Sequence, residues 1–126
     1  MIPNNNTLLI VDDSLIIRKA ITKYLEDYAF QIVGTANNGN KALELYEKFH
    51  PEYVTLDITM PGIDGMLVLE EMVKIDDRSK IIVVTALKDK SIGLRALKLG
   101  AVSYITKPFS PDKLRDTFNR LINEKE

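Results

Sequence analysis

The sequence predicts an α/β domain built on one doubly wound, five-stranded parallel sheet in the order 2-1-3-4-5, with five helices. Three observations predict it. Short apolar runs begin near Leu8, Ile32, Tyr53, Ile81 and Val102, at intervals of roughly 20 to 30 residues, the length of successive βαβ units. The stretches between them carry apolar residues at helical spacing. The runs at Leu8 and Ile81 are almost continuously apolar, as strands covered on both faces are. Right-handed crossovers then place helices on both sides of the sheet.

The first strand, Leu8-Leu9-Ile10-Val11, runs into Asp12-Asp13. A helix follows, marked by Ile17, Ala20, Ile21, Tyr24, Leu25 and Tyr28. The second strand starts near Ile32. An Asn37-Asn38-Gly39-Asn40 turn opens the second helix, with Ala42, Leu45, Tyr46 and Phe49 on its apolar face. His50 ends that helix before Pro51 and reads as an exposed structural residue. The third strand, Tyr53-Val54-Thr55-Leu56, runs into Asp57. Asp64-Gly65 opens the third helix, carrying Leu69, Met72 and Val73. The fourth strand, Ile81-Ile82-Val83-Val84, runs into Thr85. Ile92, Ala96, Leu97 and Leu99 mark the fourth helix, which Gly100 closes as a left-handed cap. A weaker fifth run, Val102 to Thr106, ends at Lys107-Pro108. Ser110-Pro111-Asp112 opens the last helix with a capping hydroxyl, proline at the first helical position and an acid in the first turn. Its stripe is Leu114, Phe118, Leu121 and Ile122.

A chain of 126 residues fits one domain over 1–126 and can bury a core without staples. It has no cysteine, which excludes disulfides and a thiolate metal site. No apolar run approaches the roughly 20 residues that span a bilayer. Met1 to Thr7 lacks a basic segment followed by an apolar one, so a cytoplasmic protein without membrane insertion is expected. A net charge of −1 gives no global reason for direct nucleic-acid binding. The charge is uneven, however. Lys88 to Arg120 holds eight basic residues against three acids, whereas Met1 to Leu87 holds thirteen acids against eight bases. Such a run is either a solvated helix face or a docking face for an acidic partner.

In open α/β sheets, ligands bind beyond the carboxyl ends of the strands, where the strand order reverses. In the order 2-1-3-4-5 that point lies between strands 1 and 3, which here end in Asp12-Asp13 and Asp57. Carboxylates brought that close repel one another unless a cation intervenes. A hard divalent ion suits them: Mg²⁺, with Mn²⁺ as a substitute of the same class. Asp13 and Asp57 are the expected direct ligands, with the backbone carbonyl of Thr59 beside them. A carboxylate can also attack phosphorus to give an aspartyl phosphate, and Asp57 is the candidate nucleophile. Lys107 would pair with it at rest and with the phosphoryl oxygens afterwards. Thr85 would donate its hydroxyl to one of those oxygens.

Five motifs then resemble one family. Val11-Asp12-Asp13-Ser14, Leu56-Asp57-Ile58-Thr59-Met60-Pro61, Asp64-Gly65, Val84-Thr85-Ala86 and Lys107-Pro108-Phe109 are similar to the receiver domains of two-component signalling, above all the single-domain, CheY-like chemotaxis receivers. The likeness spans Leu8 to Asn123 and implies the flavodoxin-like fold already expected. It implies that a partner histidine kinase supplies the phosphoryl group and that the receiver itself catalyses both transfer to Asp57 and its later hydrolysis. Asp12 would meet the metal largely through water, and Lys107-Pro108 would be a cis peptide. Thr85 would work with Tyr104 as an output switch. The fourth helix, last strand and fifth helix would present the responsive face to a partner such as the flagellar motor switch, with a phosphatase as a further partner. A monomer is expected. Thr59 and Lys88 stand where family members vary, in stretches that tune phosphoryl lifetime.

Met1 close to the first strand and an end one helix past Lys107 favour a stand-alone chemotaxis switch. A phosphorelay receiver or a piece of a DNA-binding regulator is the alternative. A phosphohydrolase of haloacid dehalogenase type would need a second acid two residues past the nucleophile, where Thr59 stands. A flavodoxin-type flavin module would need a hydroxyl-rich phosphate loop where Asp12-Asp13 would repel the phosphate.

Overall fold

In a computed structural model the described residues are 6–60 and 64–124. Met1 and Pro61, on which two of the readings above draw, lie outside them. Five strands, β1 (Thr7–Val11), β2 (Gln31–Ala36), β3 (Tyr53–Asp57), β4 (Lys80–Thr85) and β5 (Ser103–Thr106), form one sheet in the order β2-β1-β3-β4-β5. All four pairings are parallel. Five helices, α1 (Leu15–Tyr24), α2 (Gly39–Phe49), α3 (Gly65–Ile75), α4 (Lys90–Leu99) and α5 (Pro111–Glu124), connect and follow them. This is the expected doubly wound fold.

The period of two along each strand divides the core into two layers. Leu9, Val11, Val54, Leu56, Ile81 and Val83 pack against Ala42 and Tyr46 of α2, Leu69 and Met72 of α3 and Ala96 of α4. Leu8, Ile10, Tyr53, Ile82 and Ile105 pack against Ile21 of α1 and Leu114, Phe118 and Leu121 of α5. Helices α1 and α5 thus cover one face, and α2, α3 and α4 the other. Phe30, Tyr53 and Phe118 meet with ring centroids 5.3 to 5.5 Å apart, anchoring the second layer. Burying a side chain of this size contributes about 2 kcal/mol.

Side-chain caps fix where the helices start. Ser14 Oγ accepts from Ile17 N–H at 3.2 Å, Asp64 Oδ1 from Met66 N–H at 2.9 Å and Ser110 Oγ from Lys113 N–H at 3.0 Å. These three helices all leave the carboxyl edge of the sheet, so the caps also fix the loops on that edge. Each contributes on the order of 1 kcal/mol. Gly100 closes α4 at φ 121°, as its position predicts.

The first helix is shorter than its apolar spacing predicts. It ends at Tyr24, and Glu26–Tyr28 form a 3-10 turn. Tertiary packing overrides the periodicity here. Tyr28 stacks on Phe30 at 5.6 Å, and its hydroxyl donates to Asn119 Oδ1 at 2.6 Å. A three-residue turn keeps Tyr28 on the side of Leu25 while redirecting the chain into β2.

At the opposite edge, His50 caps α2 and its Nδ1 lies 2.7 Å from Asp76 Oδ2. Arg78 donates to both oxygens of Asp76, at 3.0 and 3.2 Å. Tyr46 Oη donates to the Asp76 carbonyl and Ser79 Oγ to that of Pro51. The Arg78 guanidinium holds the Asp76 carboxyl well below the usual carboxylate range, with His50 adding to it and burial opposing. His50 is structural, as read from the sequence, but tied to a buried acid rather than merely exposed.

Candidate metal and phosphoryl site

Strand register builds the site. Asp57 is the last residue of β3 and pairs with Val84 of β4. Val11, paired with Leu56, delivers Asp12 to the neighbouring strand end, where its N–H donates to Ala36 O at 2.9 Å. Thr85 pairs with Thr106, and the next residue, Lys107, donates its N–H to Thr85 O at 2.7 Å. Four strand ends therefore present their polar residues at one edge. The Lys107–Pro108 peptide is cis, in line with the resemblance.

Asp12, Asp13 and Asp57 each offer a carboxylate oxygen, all within 4.8 Å of one another. Asp12 and Asp57 are 1% exposed, whereas Asp13 opens to solvent. The Lys107 ammonium lies 2.9 Å from Asp12 Oδ2 and 3.3 Å from Asp57 Oδ2. Asp57 Oδ1 accepts two hydrogen bonds from Thr59, from N–H at 2.8 Å and from Oγ1 at 2.6 Å. Asp12 Oδ1 accepts from Ser14 N–H at 2.9 Å. Its Oδ2 is buried and, among the described residues, has no aligned hydrogen bond and meets Lys107 as an ion pair.

The electrostatics follow from crowding. Burial, with a contribution from the Asp57 charge, raises the Asp12 carboxyl above its ordinary value, against the opposing pull of Lys107 and Ser14. Burial alone would lower the Lys107 ammonium, but Asp12 and Asp57 outweigh it and hold the amine charged. Three carboxylates against one paired ammonium leave two negative charges unbalanced. Two charges about 4 Å apart interact by roughly 4 kcal/mol at an effective dielectric near 20. Oxygen donors alone, with no clustered nitrogen or sulfur and one buried oxygen short of a hydrogen bond among the described residues, fit a hard divalent cation. The acids Asp12, Asp13 and Asp57 would hold it.

Thr85 is 1% exposed, and its hydroxyl accepts from Leu87 N–H at 2.9 Å, which leaves its own hydrogen free to be donated. Tyr104 pairs with Val83, two residues below the Thr85–Thr106 pair. Thr85 and Tyr104 are therefore diagonal neighbours on one face of the sheet, within reach of a large side chain. The Tyr104 ring is half-buried and lies against Gly93 of α4.

Every residue singled out at the strand ends thus meets at one edge: Asp12, Asp13, Asp57, Thr59 and Lys107, with Thr85 one strand over and Tyr104 below it. Sequence reasoning foresaw Thr59 only through its carbonyl and missed its hydroxyl. It also missed Arg18, whose Nη1 donates to the Asp12 carbonyl at 2.6 Å. An arginine at helical spacing after an acid pair was the only available signal.

Comparison with known proteins agrees. Bacillus subtilis chemotaxis protein CheY is 38% identical over 116 residues, covering 92% of this chain and 97% of that protein. A probable transcriptional regulator, ycf27 of Cyanophora paradoxa, is 37% identical over 123 residues, 98% of this chain but 51% of its own length. A chain in the crystal structure of the CheX–CheY–BeF3–Mg²⁺ complex from Borrelia burgdorferi superposes with a TM-score of 0.88 at 31% identity, covering 92% of this chain and 88% of that one. The family model described as the response regulator receiver domain matches residues 8–119. The fold is thus that of its structural neighbours, and the chain belongs to the receiver domains, the phospho-acceptor switches of two-component response regulators.

Proposed function

We propose that this chain, as one receiver domain over 1–126, accepts a phosphoryl group on Asp57 from the phosphohistidine of a kinase and changes its partner-binding face in response. The observation that carries this reading is the Lys107 ammonium, 3.3 Å from Asp57 and 2.9 Å from Asp12 beside a three-acid cluster. An Asp57 oxygen forms the new O–P bond as the donor's P–N bond breaks. Lys107 then follows the negative charge from the carboxylate to the phosphoryl oxygens. The Thr85 hydroxyl donates to one of those oxygens. Mg²⁺, bound through Asp13, Asp57 and the Thr59 carbonyl and through water by Asp12, would offset charge on the transferring group.

The output follows from the sheet. Drawing Thr85 toward Asp57 vacates space on the face it shares with Tyr104. Phosphorylation adds about −1.5 to −2 charges in one step and shifts an existing equilibrium between two surfaces. The surface affected is α4–β5–α5, where Leu94 and Leu97 are exposed among Lys90, Arg95 and Lys98. An acidic partner with an apolar strip fits it. The likeness to chemotaxis proteins over nearly their whole length supports a role in control of the flagellar motor. Among the described residues no helix is long and apolar enough to cross a membrane, in keeping with a cytoplasmic switch.

A small-molecule phosphodonor tests the site. Acid-labile label should appear at Asp57 with Mg²⁺ and be lost in Asp57→Asn; persistent label in that variant refutes the assignment. A motor-switch peptide tests the output. Equal affinity with and without a phosphate mimic removes the switch. A second reading, a receiver from a DNA-binding regulator, is favoured by the half-length match to ycf27. It predicts phosphorylation-dependent dimerisation through the same face and no peptide binding.

A further inference from the structure

Arg18 stands four residues past the α1 cap, and its guanidinium donates to a main-chain carbonyl, that of Asp12, at 2.6 Å. Among the described residues no carboxylate pairs with it. Besides the Lys107 ion pair, three hydrogen bonds hold Asp12. Its N–H donates to Ala36 O at 2.9 Å, its Oδ1 accepts from Ser14 N–H at 2.9 Å, and its carbonyl accepts from Arg18. That carbonyl belongs to the peptide joining Asp12 to Asp13. Asp13 is exposed and has no hydrogen bond or ion pair of its own among the described residues. Among the described residues, then, no partner holds the Asp13 side chain, its backbone alone places it, and Arg18 is the side chain that bonds the peptide before it.

We infer that Arg18 is a positioning residue for the metal-binding acids, fixing the Asp12–Asp13 peptide so that the Asp13 carboxylate meets Asp57. The inference rests on the Mg²⁺ site proposed above. A guanidinium suits the role because it stays charged and planar at every relevant pH. By bonding a carbonyl it leaves the oxygens of all three acids to a cation. The stem of Arg18 lines a surface cleft with Leu15, Lys19, Thr22 and Thr35, outside both core layers, so truncation leaves the core intact.

Charge and positioning predict opposite signs, which makes the test decisive. A cation near the site repels Mg²⁺, so if Arg18 acted only as a charge, Arg18→Ala would tighten binding. As a clamp its loss weakens binding, by about tenfold, as for other residues that orient metal ligands. Mg²⁺ affinity would be measured by calorimetric titration of wild type, Arg18→Ala, Arg18→Lys and Asp13→Asn, with melting temperature in EDTA as the check on folding. Arg18→Ala should bind Mg²⁺ about tenfold more weakly, Arg18→Lys should fall between it and wild type, and the melting temperatures should stay close together. Should Arg18→Ala not fold, Arg18→Met, which keeps the stem, carries the same expectation. Unchanged or tighter binding in the variants overturns the inference while leaving the site reading intact. Wild type that binds no Mg²⁺, or binds it no better than Asp13→Asn, overturns the site reading itself.

Discussion

The ring of Tyr104 fills the space that a side chain on Gly93 would need. A Cβ at residue 93 would lie 2.3 to 2.5 Å from three of its ring atoms, closer than atoms can pack. Gly93 is buried within α4, where glycine costs up to about 1 kcal/mol relative to alanine. Helix propensity and ring packing therefore oppose each other at this position.

Gly93→Ala should accordingly fail to stabilise the wild-type chain and should displace Tyr104. In a Tyr104→Ala background the same change should stabilise by up to about 1 kcal/mol, the ordinary helix gain. Urea denaturation of the four-member cycle measures the coupling. Equal effects in both backgrounds would mean that the ring and the glycine do not compete.

Lys107→Ala removes the ammonium between Asp12 and Asp57, both 1% exposed. Stranding two buried carboxylates should lower stability by on the order of 3 kcal/mol in metal-free buffer. Mg²⁺ should restore part of it, because the variant still offers its three acids to the ion. Melting curves with and without Mg²⁺ test this; a variant as stable as wild type in EDTA contradicts it.

The hydroxyl of Thr55 is buried in the middle of β3 and has no hydrogen-bond partner among the described residues. Thr55→Val keeps the shape and removes the unsatisfied group. It should stabilise by on the order of 1 kcal/mol. Denaturant midpoints check this, and Mg²⁺ affinity should not move.

Asp76 gives a pH signature at the far edge. Its carboxyl lies below the ordinary range when folded, so its contribution is fully present above the unfolded value near 4 and fades as pH falls toward the folded one. The stability gap between wild type and Asp76→Asn should be present at neutral pH and narrow below about 4. A gap that widens in acid would mean that the carboxylate does not stabilise the fold as an anion.

The strands and the clustering of acids at their ends were legible in the sequence for one reason. Apolar runs such as Leu8–Val11 and Tyr53–Leu56 end abruptly in acids, and the ends of parallel strands share an edge. Contacts made by the crossovers were not legible. His50 and Asp76 are 26 residues apart and meet only because α2 and α3 end at the same edge. Gly93 and Tyr104 meet because β5 returns beneath α4, and a glycine inside a helix reads only as a weak position. Tyr28 kept helical spacing while its backbone tightened to a 3-10 turn, since periodicity reports where a side chain packs and not how the backbone winds.

Asp57 ends a strand bonded to neighbours on both sides, β1 and β4. Under the proposed function, a phosphoryl group on Asp57 would be attached to a strand that its neighbours hold on both sides. Displacement would then pass outward through the turns beyond the strand tips, away from the edge that His50, Asp76 and Arg78 fasten. That quiet end is the place to tether the molecule to a surface or a fluorophore without muting its signal.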